Sequence, residues 1–257
     1  MAEGVFRKGN AAAPEGYFAW EAAGLAWLAG APRGAQVVEV LEVAPGHLDL
    51  RRLTFANPDP AMAEAFGAAL ARTHDAGAAA YGSPPDGWTG DGFLGPATQL
   101  LPLALSPTPT WGEFFAEQRL RPMLAMGVDQ GLYHRSERGV LESIIDRVAV
   151  GRYDDGSSPA RIHGDLWSGN VAWTPGGAVL IDPAAHGGHR VTDLAMLALF
   201  GCPHWDFVVE GYLAQHRLDA EWRRHLGLHQ LHPLMVHAVL FGRDYAHRAV
   251  EVARTYR

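Results

Sequence analysis

The sequence predicts an α+β fold in two lobes, a small sheet-bearing lobe over residues 1–56 and a larger helical lobe over residues 57–257. Three observations lead there. β-branched and alternating segments fill the stretch from Val37 to Leu53 and stop at Asn57-Pro58-Asp59-Pro60. From that point apolar residues recur at helical spacing, interrupted by loops and by one polar loop at 161–170 with a short strand–turn–strand behind it. Finally, 48% of the 257 residues are hydrophobic, with eight Trp and ten Phe, enough for a substantial core.

The elements follow in order. Met1 to Lys8 is too short and polar to be a signal peptide. Residues 15–29 read as a helix with Phe18, Leu25 and Leu28 on one stripe and Trp20 and Trp27 opposite, so it is covered on most sides. Glu21 lies on the apolar stripe, and a carboxylate there requires a cationic partner. Val37 to Val43, the turn Ala44-Pro45-Gly46 and His47 to Leu53 read as a hairpin. The helix that opens after Pro60 carries Met62, Phe66 and Leu70 at i, i+4 and i+8. Residues 83–87 and the Pro-rich stretch 101–110 read as loops, and 111–126 and 136–150 as helices, the second with Leu141, Ile144, Ile145 and Val148 on one face. Val171 to Trp173 and Ala178 to Ile181 are short strands around Thr174-Pro175-Gly176-Gly177, where Pro then Gly suits a type II turn. The remainder, from Val191, is helical.

Composition excludes several functions. The net charge is −7, with 28 acidic against 21 basic residues, which argues against nucleic-acid binding. No apolar run reaches the length of a membrane span; the best, around 191–202, contains an Asp and a Gly. Cys202 is the one cysteine, so there is neither an intrachain disulfide nor a multi-Cys metal site, and cytoplasm is the expected compartment. Of the 21 basic residues 20 are Arg, and the exception is Lys8. In a chain so biased toward Arg, the surviving lysine marks a place where a compact point charge is needed.

The chemistry concentrates in His163-Gly-Asp165-Leu-Trp-Ser-Gly-Asn170, with Asp182 twelve residues later. A short hairpin between them returns Asp182 to Asp165 and Asn170. Phosphoryl transfer from ATP asks for this set: a carboxylate that accepts the acceptor's hydroxyl proton, and hard oxygen ligands for Mg²⁺ on the phosphates. The protein-kinase template H-R-D-x-x-x-x-N followed by D-F-G matches, with Gly164 in place of the Arg and Pro183 after the metal aspartate. Lys8 and Glu21 then take the places of the phosphate-holding lysine and its helix glutamate.

At these residues the chain resembles the fructosamine kinase (ketosamine 3-kinase) family, relatives of the aminoglycoside and choline phosphotransferases, from about Val5 to Tyr245. The specific pieces are 163–170, Ile181-Asp-Pro-Ala184 and Gly188-His-Arg-x-x-Asp-Leu-Ala-Met196, together with Leu199-Phe-Gly201, 111–120 and 229–242. Trp167-Ser168 and Pro183 favour the ketosamine branch over the aminoglycoside one. The resemblance implies a two-lobed protein-kinase-like fold and ATP- and Mg²⁺-dependent phosphorylation of the sugar 3-hydroxyl of a fructosamine or ribulosamine, a deglycation step. The implied site is Asp165, His163 and Asp193 for catalysis and its support, Lys8 and Glu21 for the nucleotide, and Asn170 and Asp182 for the metal. The family opens on a glycine-rich hairpin over the phosphates; seven residues precede Lys8, so this lobe is expected to be shortened, with weak ATP binding and an exposed edge near Val5. The family's usual Glu after Gly-His-Arg is Val191 here.

Other residues carry less. His225, His229 and His232 share a helical face, but the resemblance assigns them to a packed helix rather than to zinc. His237 is a candidate for the acceptor pocket, and Cys202 reads as a small buried hydrophobe. Eleven positions from Asp182 to Asp193, with Thr192 the one hydroxyl, leave no room for a phosphorylatable activation segment. The expected partner is a small ketosamine or glycated amine. The alternatives are an aminoglycoside-type phosphotransferase and a non-catalytic pseudokinase.

Overall fold

The computed structural model describes residues 4–95 and 99–256. Residues 1–3, which open the N-terminal segment weighed above as a leader, lie outside the described residues, as do 96–98 and 257. Strand β1 (Val5–Gly9) pairs antiparallel with β4 (His47–Arg51), and β4 with β3 (Val40–Ala44), so β1 is an edge of this sheet among the described residues. Helix α1 (Tyr17–Ala29) packs on it, and Tyr17, Phe18 and Leu25 bury against Leu48 and Leu50. Trp20, Trp27 and Glu21 are buried as well, so α1 is covered on most sides, as its sequence predicts.

The predicted hairpin is shorter than the apolar run that announced it. β2 (Gln36–Val37) leaves the hairpin and pairs parallel with β9 (Gly177–Leu180), which pairs antiparallel with β8 (Val171–Thr174). Val38 continues the attachment through its N–H to Leu180 O at 3.0 Å. One apolar run therefore serves two sheets and ties the first sheet's lobe to the strand pair behind the polar loop. In the β8–β9 turn the positive φ falls on Gly177 (114°) and not on Gly176, so the turn is not type II.

Helix α2 (Pro60–Asp75) starts where its sequence says: the Asp59 carboxylate accepts the Met62 N–H at 2.8 Å and Pro60 occupies the first turn. It crosses α7 (Trp205–Gln215) backbone to backbone at two glycines. A Cβ at Gly67 would overlap the Val208 carbonyl, and one at Gly211 the Glu64 carbonyl. Gly67→Ala should therefore push the helices apart and destabilise the fold by about 1–3 kcal/mol. A thermal melt reads this as a midpoint lowered by about 2–4 °C per kcal/mol; an unchanged midpoint would refute the tight crossing.

Two regions depart from the sequence reading. The stretch 101–110 is not all loop: β6 (Leu101–Leu103) pairs with β5 (Gly92–Leu94), its alternation masked by Pro102. The predicted helix 111–126 runs as α3 (Trp111–Phe114), a π-helical segment Phe115–Leu120 and α4 (Arg121–Asp129). Pro122 supplies no N–H and its ring crowds the carbonyl four residues back, which accounts for the widened turn ahead of it. α5 (Arg135–Ala149) buries its predicted face. β7 (Ala160–Ile162) pairs with β10 (His186–Gly188), and α6 (Arg190–Phe200), α8 (Trp222–Phe241) and α9 (Arg243–Arg254) complete the helical part. Val191 is packed in the core, which explains an apolar residue where the family carries Glu. Cys202 is half-buried rather than buried, and burial pushes its thiol up to about 11. Among the described residues no helix is long and apolar enough to cross a membrane.

Candidate active site

The polar loop between β7 and β8 is held from beneath. Asp193, in the first turn of α6, accepts the His163 N–H through Oδ2 at 2.8 Å and the Gly164 N–H through Oδ1 at 3.0 Å. Burial works against charge on Asp193, but His74 and His163 outweigh it and hold the carboxyl below the usual carboxylate range. Gly164 has φ 80° and its missing Cβ would overlap the Ala184 carbonyl, so the Arg of the kinase template cannot stand here. The His163 ring faces inward: Nδ1 accepts the Asp165 N–H at 3.2 Å and Nε2 bonds Ile181 O at 2.9 Å. This pattern assigns the neutral Nε2–H tautomer, and burial lowers the pKa of the ring. His163 thus ties the loop to the end of β9 and its ring is not turned toward an acceptor.

Asn170 joins the two ends of the hairpin. Its Nδ2 donates to Asp165 O at 2.8 Å, to Asp165 Oδ2 at 3.1 Å and to Asp182 O at 3.4 Å. With the amide nitrogen so used, the carboxamide oxygen is the atom left for another ligand. Asp182 sits at φ 52°, a left-handed position that aims its half-exposed carboxylate back toward β1. There Lys8 Nζ reaches Asp182 Oδ1 at 3.0 Å and Glu21 Oε2 at 2.7 Å. Burial opposes charge on Lys8, but Glu21 and Asp182 prevail and push it up to about 12. Burial raises Glu21 against the pull of Lys8. The cationic partner that Glu21 requires is therefore the chain's lone lysine.

Burial also pushes the Asp165 carboxyl up to about 7, with Asn170 opposing and Asp182 and Asp193 adding repulsion. Two cavities meet at Lys8 and Asp182. One, of 330 Å³, is walled by Phe6, Val38, Leu50, Leu53, Phe55 and Ile181. The other, of 370 Å³, holds Asp165 and Asn170 beneath aromatic walls from Tyr17, Trp20, Phe93, Trp167 and Phe241. His237 also lines it, with Nδ1 bonded to Pro233 O at 2.8 Å. The Asp182 carboxylate and the Asn170 carboxamide line the same cavity, and their oxygens are hard donors of the kind that fits Mg²⁺.

The structure thus brings five predicted site residues, Lys8, Glu21, Asp165, Asn170 and Asp182, to one cleft, with His163 and Asp193 bracing its loop from below. The sequence reading did not pick out the aromatic walls. Trp167 was the one with a local signal, an indole inside the polar loop, and it is 43% exposed. The three-histidine face does not gather ligand atoms: His229 stacks on Trp111 at 4.6 Å and bonds Thr192 Oγ1 at 3.0 Å. That bond also engages the one hydroxyl of the short segment after Asp182.

A family model for fructosamine kinase matches residues 1–256. A probable ketoamine kinase of Klebsiella aerogenes is 34% identical over 145 residues, 54% of this chain and 49% of that protein. The chain thus spans about half the length of such curated relatives. A crystal structure described as a "putative fructosamine-3-kinase" from Thermobifida fusca superposes with a TM-score of 0.88 at 43% identity, covering 97% of this chain and 84% of that one. An aminoglycoside phosphotransferase with streptomycin and ATP superposes at 0.56 and 12% identity, covering 91% of this chain and 79% of that one. That last likeness is one of fold and establishes the two-lobed, protein-kinase-like α+β architecture. The family match and the Thermobifida structure agree with the catalytic-loop sequence, and the chain belongs to the fructosamine kinase family.

Proposed function

We propose that this chain is a small-molecule kinase that transfers the γ-phosphoryl group of ATP, with Mg²⁺, to the 3-hydroxyl of a ketosamine sugar. The observation that carries the reading is the meeting of two cavities at Lys8 and Asp182. The apolar one suits a nucleotide base, and the other places Asp165 where an acceptor hydroxyl would lie. Residues 1–56 then form the nucleotide-side lobe and 57–257 the lobe that carries the catalytic loop. Asp165 takes the hydroxyl proton as the acceptor oxygen bonds to the γ-phosphorus and the bond to the bridging oxygen breaks, leaving ADP; the proton then passes to solvent. Lys8, fixed by Glu21, pairs with the phosphates. Asp182 and the Asn170 carboxamide oxygen would hold Mg²⁺, which supplies charge for the phosphates in transfer. His163 and Asp193 position the loop without touching the acceptor.

The acceptor follows from charge. Aminoglycosides are polycations and call for a strongly acidic pocket. Residues 203–257 give the second cavity Val236, His237, Leu240 and Phe241 and none of their acidic side chains, and the carboxylates it does hold, Glu21, Asp165 and Asp182, are those the reaction uses, so none is spare for a polycation. ATP consumption should accordingly be stimulated by a fructosamine or ribulosamine of a simple amine and little by kanamycin-like compounds. A clear preference for the aminoglycoside would move the function to that class, and no turnover of either would favour a non-catalytic binding role.

A further inference from the structure

Behind the catalytic loop a buried chain of side chains leads from Asp193 into the crossing of α2 and α7. His74, in the last turn of α2, places Nε2 at 3.1 Å from Asp193 Oδ2 and Nδ1 at 2.7 Å from the Tyr212 hydroxyl of α7. Both side chains are fully buried. Arg190 Nη1 lies 3.5 Å from the same hydroxyl and donates to Asp75 Oδ1 at 2.8 Å.

The directions of these bonds follow from the carboxylate at one end. An ionised Asp193 can only accept, so His74 Nε2 carries the proton. With the proton on Nε2, Nδ1 is the ring's acceptor nitrogen, and burial, which lowers the His74 pKa against the pull of Asp193, disfavours a second proton there. Nδ1 therefore takes the Tyr212 O–H, and the Tyr212 oxygen is left to accept from Arg190. The donations run one way, from Arg190 to Tyr212 to His74 to Asp193, and end on the carboxylate that grips the His163 and Gly164 N–H groups. The same Oδ2 that receives His74 receives the His163 N–H.

We propose that His74 and Tyr212 are positioning residues for the reaction: their hydrogen bonds fix the Asp193 carboxylate, which sets the loop carrying Asp165. Neither touches the cleft; both act through Asp193. Catalytic loops are sensitive to such support, because displacements on the ångström scale far from the chemistry cost rate. Local spacing gives no hint of this link, since His74 lies 119 positions before Asp193.

The inference deepens the kinase reading and rests on it for the kinetic arm of its test alone. His74→Gln keeps an N–H near the place of Nε2, His74→Leu removes it at similar volume, and Tyr212→Phe removes only the hydroxyl. Amide hydrogen exchange at His163 and Gly164 is measured with kcat and KM for ATP during ketosamine-dependent turnover. His74→Leu should speed exchange at both amides and lower kcat by about 10- to 100-fold while KM for ATP stays within about twofold. His74→Gln should restore most of both, and Tyr212→Phe should fall between. Equal behaviour of the Gln and Leu variants, or unchanged exchange in the Leu variant, overturns the proposal. If His74→Leu does not fold, Tyr212→Phe decides, and wild-type exchange and kcat in it overturn the idea. If wild type turns over no ketosamine, the kinase reading fails while the exchange arm still judges the positioning.

Discussion

Asp165→Asn is expected to lower turnover by about 10²–10⁴-fold while the fold and ATP binding survive. The substitution preserves shape and takes away the group that, in the proposed mechanism, accepts the acceptor's proton. Asn170 Nδ2 donates to Asp165 O as well as to Oδ2, so the loop keeps a bond to Asn170 when the carboxylate is replaced. Nucleotide binding rests on Lys8, Glu21, Asn170 and Asp182 in the proposed mechanism, and all four remain. The pH profile adds an independent reading. Burial pushes the Asp165 carboxyl up to about 7, and the base works only when deprotonated. Activity in wild type should thus fall as the pH drops through about 7, and the residual activity of Asp165→Asn should lack that limb. Near-wild-type turnover in a folded Asp165→Asn protein, measured by ketosamine-dependent ATP consumption, would remove Asp165 from its role.

Much of this cleft is legible in the sequence because its chemistry is local. Asp165, Asn170 and Asp182 lie on one loop and one hairpin, so their spacing alone predicts that they converge. Lys8 and Glu21 were legible for a different reason: a carboxylate on an apolar helix stripe demands a cation, and one lysine exists to supply it. What remained hidden depends on tertiary structure. The split of residues 36–44 between two sheets requires β9 as a neighbour, and nothing in a β-branched run reveals which partner each end will take. The β5–β6 pair was obscured by Pro102, a residue read locally as a loop former that sits safely where a short strand has a free side. The π-helical turn ahead of Pro122 preserves helical periodicity closely enough that the apolar pattern reads straight through it. The aromatic cleft walls come from six separate segments, and Phe6 and Phe55 read as ordinary exposed apolar residues until the fold sets them around one cavity with Lys8 and Asp182.

Asp182→Asn should abolish Mg²⁺-dependent nucleotide binding, and it is a sharper probe than Asp182→Ala. The backbone there is left-handed, with φ 52°. Alanine would add a backbone penalty on the order of 1 kcal/mol or more to the loss of the ligand, whereas asparagine tolerates that conformation and keeps an oxygen in place. The difference between wild type and Asp182→Asn is then the charge. In the proposed mechanism that charge offers a hard anionic oxygen to the metal, and in the structure it sets one of the two ion pairs on Lys8, at 3.0 Å. In the variant Lys8 keeps its ion pair with Glu21 at 2.7 Å and retains only a neutral amide oxygen at position 182, so its balance of charge tilts toward α1. Asn170→Ala removes a neutral ligand and the bonds that tie Asp165 to Asp182, so its metal-dependent loss should be smaller and its loss of turnover larger relative to binding. Titration of nucleotide with and without Mg²⁺ measures all three proteins. Wild-type Mg²⁺ enhancement in a folded Asp182→Asn chain would show that the metal is held elsewhere, because among the described residues no second group in this cleft supplies an equally exposed carboxylate beside Lys8.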